Sequence, residues 1–178
     1  MQLSQFFQRT CAIIALAVGI AAPAAAERGP STPEERARVV ALAEAANRDP
    51  IGVMTSADGR WFMKWSDEIP DYMFGPDKGA FWMENSAAKG DLRRVLRFHH
   101  MLSTAAYQVQ HQMPDPQKDA AALEAKTIAG IDGLLHAYES LKDKRPENRS
   151  EALDKAIEMR DQGKLAAFVQ SLPPAPKR

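Results

Sequence analysis

Cysteine is all but missing from this chain. The only one, Cys11, stands among the first residues of 178, so the rest of the polypeptide has no disulfide, no thiolate nucleophile and no thiolate metal ligand. Other signatures of chemistry are missing too. No serine sits in a Gly-x-Ser-x-Gly elbow, no glycine-rich loop could cradle a phosphate, and no histidines recur at zinc spacing or acids at calcium-loop spacing. Charge of one sign is not in excess, since 23 lysines and arginines face 23 aspartates and glutamates. A balanced chain does not seek nucleic acid or a lipid surface by long-range charge, so no nucleic-acid partner is expected. Long apolar runs are also lacking. None reaches the roughly 20 residues of a membrane-spanning helix, and no membrane span is expected.

Residues 1–26 read as a cleaved secretory signal peptide: Arg9 as the only charge, an apolar stretch over 11–22, then Pro23 and the small residues Ala24, Ala25 and Ala26. Cys11 is not placed at the cleavage point, so no lipid anchor is expected. The product would work in the periplasm or outside the cell. The remaining residues are enough for one domain, assigned here to 27–172, with a disordered proline-rich tail over 173–178.

The apolar pattern has a helical period nearly throughout and nowhere alternates as a half-buried strand would. Thr32-Pro33-Glu34-Glu35 is a capping box, opening a helix that ends by Asn47. A second helix begins near Ser56 and gathers Trp61, Phe62, Trp65 and Ile69 in one arc; Pro70 stops it. Residues 71–79 read as a loop and 80–83 as a short apolar piece. An Asp91-capped helix over 91–112 buries Leu92, Val95, Leu96, Phe98, Leu102, Ala105, Ala106 and Val109. Its opposite side carries Arg93, Arg97, His100, Thr104, Tyr107 and His111, expected in solvent.

After the Met113-Pro114-Asp115-Pro116 turn, a long helix starts at Asp115 or Asp119 and runs to about Lys142. Beside its apolar face lies a strip of small residues that includes Ala129, Gly130, Gly133 and Ala137. Two glycines inside a helix cost roughly 2 kcal/mol against alanine, which predicts another helix in close contact there. Ser150 caps a further helix, Gly163 ends it, and Leu165, Phe168, Val169 and Leu172 mark a last short one. The expected fold is all-α, a compact single-domain bundle of five to seven helices.

Arg60-Trp61 with Trp65 and Pro70-Asp71, together with Ala137-Tyr138-Glu139 and Arg160-Asp161-Gln162-Gly163-Lys164-Leu165, resemble a loosely defined group of small exported all-helical bacterial proteins. The resemblance covers most of the chain beyond the leader. It implies a fold and carries no activity. The stretch 134–146 is also similar to the second helix of a tetratricopeptide repeat, but nothing matches it at the period of about 34 residues, so no repeat array is expected.

Two constellations remain as candidate sites. His99, His100 and His111, with Met101 and Met113 nearby, are the residue types of exported copper or zinc carriers. Yet His100 and His111 lie roughly 16 Å apart along one helix, and His99 points about 100° away from His100, so the three are read as two solvated side chains and one core histidine with a hydrogen-bond partner. His136 is expected simply to be exposed. The other constellation is aromatic. Trp61, Phe62, Trp65, Tyr72, Phe74, Phe81 and Trp82 fall within 22 residues, interleaved with Asp67, Glu68 and Asp71. Carboxylates beside indoles suit a glycan-binding or glycan-cleaving cleft. Most of the rings are assigned to the core, while Tyr72, Phe74, Trp82 and Asp71 are the candidate contact residues for a partner. No cofactor and no catalytic residue is expected. By elimination, the predicted function is non-catalytic binding of an envelope protein or a small ligand, with a metal carrier or a glycan-active protein as the alternative.

Overall fold

The computed structural model describes residues 28–75, 88 and 90–173. The expected signal peptide with Cys11, the apolar piece expected at 80–83 with Phe81 and Trp82, and residues 174–178 lie outside the described residues. Within them are seven α-helices and no strand: α1 (Pro33–Ala46), α2 (Pro50–Thr55), α3 (Ala57–Glu68), α4 (Gly90–Gln110), α5 (Ala120–Leu141), α6 (Glu151–Asp161) and α7 (Leu165–Ser171). None of these helices is long and apolar enough to cross a membrane.

Local chemistry accounts for the boundaries. Thr32 Oγ1 accepts from the Glu35 amide at 3.2 Å while the Glu35 carboxylate accepts from the Thr32 amide at 2.9 Å, closing the capping box of α1. Ser56, Asp119 and Ser150 cap α3, α5 and α6 through side-chain oxygens. Asp115 caps only a short 3-10 turn, Pro116–Lys118, which leaves Asp119 to start α5. Two expectations about α4 need correction. It begins at Gly90, so Asp91 belongs to its first turn and is not its cap. It ends at Gln110 because Gln112 takes a left-handed φ of 52° at the turn.

Helices α4 and α5 form a central antiparallel pair, and their closest approach is at the two glycines. An added Cβ on Gly130 would lie 2.4 Å from Thr104 Oγ1, and one on Gly133 would lie 1.8 Å from Ser103 Oγ and 2.4 Å from its Cβ. The small strip is thus the α4–α5 crossing. This placement also corrects the polar side of α4: Thr104 is buried and His100 is half-buried against Gly130, so neither is in solvent.

One apolar cluster joins α1, α2 and α3 to α4 through Val39, Leu42, Phe62, Trp65, Phe98 and Leu102. A second joins α4 and α5 to α6 and α7 through Leu96, Leu134, Tyr138, Leu153 and Val169. Helix α4 contributes to both, and Met54 packs against both. Burying each such side chain is worth roughly 1.5–3 kcal/mol, so the shared helix ties the two clusters into one folding unit. Arg160 adds a two-pronged bond to Glu139, both contacts at 2.8 Å, fastening α6 to α5.

Candidate functional site

The aromatic segment folds onto the first cluster as a ladder of rings. Trp61 and Trp65 lie 5.9 Å apart, Trp65 and Phe74 5.7 Å, and Tyr72 and Phe74 are stacked at 6.2 Å with 4° between planes. Trp65 is 1% exposed. Beyond α3, residues 71–75 form a strap whose backbone is held from several sides. The Met73 amide donates to Pro114 O at 2.8 Å, and Gln108 Nε2 donates to both Met73 O (3.1 Å) and Met113 O (2.9 Å). Lys126, 0% exposed on α5, donates through Nζ to Phe74 O at 3.2 Å, and Gln117 donates to Gly75 O.

This geometry assigns work to the residues singled out there. Asp71 accepts from the Ser31 amide at 2.9 Å and from its hydroxyl at 2.6 Å, so its carboxylate anchors the segment before α1. Tyr72 and Phe74 are half-buried against the first cluster, and burial raises the Tyr72 phenol above its ordinary range. Met73 alone in the strap turns outward, 51% exposed. Trp82 lies outside the described residues. Asp71 is thus engaged with Ser31 and most described rings with the core, while Asp67 and Glu68 of the same segment are exposed.

The histidines do not converge. His99, 2% exposed, donates from Nε2 to Pro50 O at 2.9 Å and meets Phe98 edge-on at 5.3 Å; burial holds its pKa below the usual histidine value. It fastens α4 to α2. His100 faces the α4–α5 crossing, whereas His111 is exposed, stacks on Tyr107 at 4.0 Å and donates from Nδ1 to Tyr107 O at 3.0 Å. Among the described residues no three histidine, cysteine or acidic side chains are grouped so as to hold a metal ion.

Two clefts remain. The smaller, about 230 Å³, lies between α1, α4 and α5 and is lined by Glu44, Ser103, Tyr107, Asp132 and His136 above a floor of alanines and Gly133. His136 is more than an exposed side chain. Its Nε2 is 3.6 Å from Asp132 and its Nδ1 3.9 Å from Glu139, and the Asp132 carboxylate raises the histidine pKa while His136 in turn lowers that of Asp132. A serine, a histidine and a carboxylate thus share one depression, yet Ser103 makes no hydrogen bond to His136. The lining also comes from the interiors of three helices, whose amides are already bonded within each helix, so none is left to stabilise an oxyanion.

The larger cleft holds about 330 Å³ and lies where α2, the first turn of α4 and the end of α5 meet. Ile51, Met54, Leu92, Val95 and Leu141 make its apolar floor, and Arg94, Lys144 and Arg145 stand around it with a single carboxylate, Asp91. Asn148 Nδ2 donates to Leu141 O at 2.8 Å, which fixes the turn that carries Lys144 and Arg145. Arg94 reaches Asp91 at 3.3 Å, whereas Lys144 and Arg145 make no ion pair among the described residues. None of the three cations was singled out in the sequence. The one available signal is the basic run over 142–149, and its neighbour in space, Arg94, is about fifty residues away along the chain.

Searches against family models, curated proteins and solved structures return no match to this chain.

Proposed function

We propose that this chain is an exported, non-catalytic binding protein of the bacterial envelope, and that the 330 Å³ cleft between α2, α4 and α5 is its ligand seat. One observation carries the reading: an apolar hollow of the size that small ligands occupy, roughly 300–1,000 Å³, is edged by side chains that make few bonds to the rest of the protein. Export rests on the leader-like pattern of residues 1–26. Binding without turnover rests on the groups around the hollow, five apolar side chains with Arg94, Lys144, Arg145 and an Asp91 already paired to Arg94.

An uncharged apolar dye, N-phenyl-1-naphthylamine, tests the seat. Its fluorescence should rise saturably with the purified protein. Thr55, exposed at the wall, is the residue to enlarge, because it belongs to neither apolar cluster and Thr55→Trp fills the hollow from its rim. That variant should lose the signal and keep the parent melting temperature. An unaltered titration in Thr55→Trp, or no titration in the parent, overturns the seat.

A further inference from the structure

Resting on that seat, we infer that its ligand is a single-chain anionic amphiphile: one linear apolar tail under one carboxylate or phosphate head.

The tail follows from the floor. Five apolar side chains line it, and one of them, Met54, is unbranched and can adjust to a flexible chain. The volume of about 330 Å³ stands at the lower end of ligand sites, which suits one slim tail and is too small for the paired tails of a bilayer lipid. A peptide is a poorer match, because an extended chain needs backbone donors and acceptors along its length and the walls here are helices whose internal amides are already bonded.

The head follows from charge. Arg94, Lys144 and Arg145 oppose the lone Asp91, and Asp91 is already faced by Arg94. Lys144 and Arg145 have no carboxylate of their own among the described residues, so the cleft carries uncompensated positive charge in a protein whose total charge is balanced. The wall also includes the first turn of α4, the end of the helix whose dipole favours negative charge. Arg94 and Arg145 can each present a planar fork to a carboxylate or phosphate, and Lys144 adds a mobile point charge. Attraction is therefore local. It acts once the tail has entered, in keeping with the lack of any long-range field.

Calorimetric titration of the full mature protein with dodecanoate, dodecyl phosphate and dodecyltrimethylammonium, each below its micelle concentration, tests the head. At least one of the two anions should bind one molecule per chain, and the cation should bind about tenfold or more weakly, a difference of about 1.4 kcal/mol. Which anion binds more tightly identifies the head as carboxylate or phosphate. Exchanging the three cations, Arg94→Gln with Lys144→Gln and Arg145→Gln, should weaken the anions about tenfold while dye binding and melting temperature stay as they were. Ile51, 39% exposed at the floor's edge, offers a second variant: Ile51→Glu should repel the anions and admit the cation. If dye binds but the cationic amphiphile equals the anions, or if the triple variant leaves the anions unaffected, the anionic head is wrong and the seat survives. If the dye itself fails to bind, the seat falls first.

Discussion

At the scale of single residues, three side chains are decisive. Trp65 is enclosed by Trp61, Phe62 and Phe74, so Trp65→Ala should cost about 3–5 kcal/mol in denaturant unfolding. A loss under about 1 kcal/mol would place the ring at the surface. His99 and His136 act on stability with opposite signs. Burial depresses the folded pKa of His99 below 6.5, so its contribution is complete above that value and drains away as pH falls and the unfolded chain takes up the proton. The neighbouring Asp132 carboxylate raises His136 above 6.5, so its contribution is complete below that value and is lost as pH rises through the folded value. Melting temperatures at about pH 7.5 and 5.5, one above and one below the ordinary histidine value, compare the two effects. The fall on acidification should shrink in His99→Gln and grow in His136→Gln. Equal falls in all three proteins would contradict both assignments.

At the scale of elements, the crossing of α4 and α5 is the most constrained contact. Alanine at position 133 would gain up to about 1 kcal/mol in helix propensity, but the clash with Ser103 should outweigh it, for a net loss of about 1–3 kcal/mol. Because the added Cβ would meet Ser103 Cβ at 2.4 Å as well as the hydroxyl, removing the hydroxyl alone gives little relief. In a double-mutant cycle Ser103→Gly should rescue Gly133→Ala and Ser103→Ala should not. Helices of this length were legible in the sequence because α3, α4 and α5 each present an apolar arc, and because Thr32, Ser56, Asp119 and Ser150 announce where helices begin. Helix α2 was not, since six residues contain less than two turns and show no period. Glycines 130 and 133 revealed a close approach, but the sequence could not say which helix supplied the neighbour. The polar side of α4 misled for the same reason: His100 and Thr104 look outward on an isolated helix and are covered only once α5 lies across them.

For the molecule as a whole, α4 belongs to both apolar clusters, and neither can come apart while that helix remains intact. Thermal unfolding should therefore be a single transition, with tryptophan fluorescence, which reports only the first cluster among the described residues, matching far-ultraviolet circular dichroism, which reports every helix. Two separated midpoints would show that the clusters melt independently. The proposed ligand seat belongs to this scale too, and that is why the sequence did not reveal it. It is assembled from Ile51, Arg94, Leu141 and Arg145, which share no motif and no helix face. Tyr72, Phe74 and Asp71, by contrast, stood out as a dense local run, and the structure gives much of that run to holding the strap and the start of α1.

The strap has one more consequence. With its single amide bonded to Met73 O and Met113 O, Gln108 clasps two stretches of chain forty residues apart, and Lys126 adds a second clasp at Phe74. A cross-brace made this way contains no bond that a thiol could reduce. Dithiothreitol should therefore leave the brace intact, whereas peroxide should act on it through the exposed Met73, whose thioether becomes a polar sulfoxide.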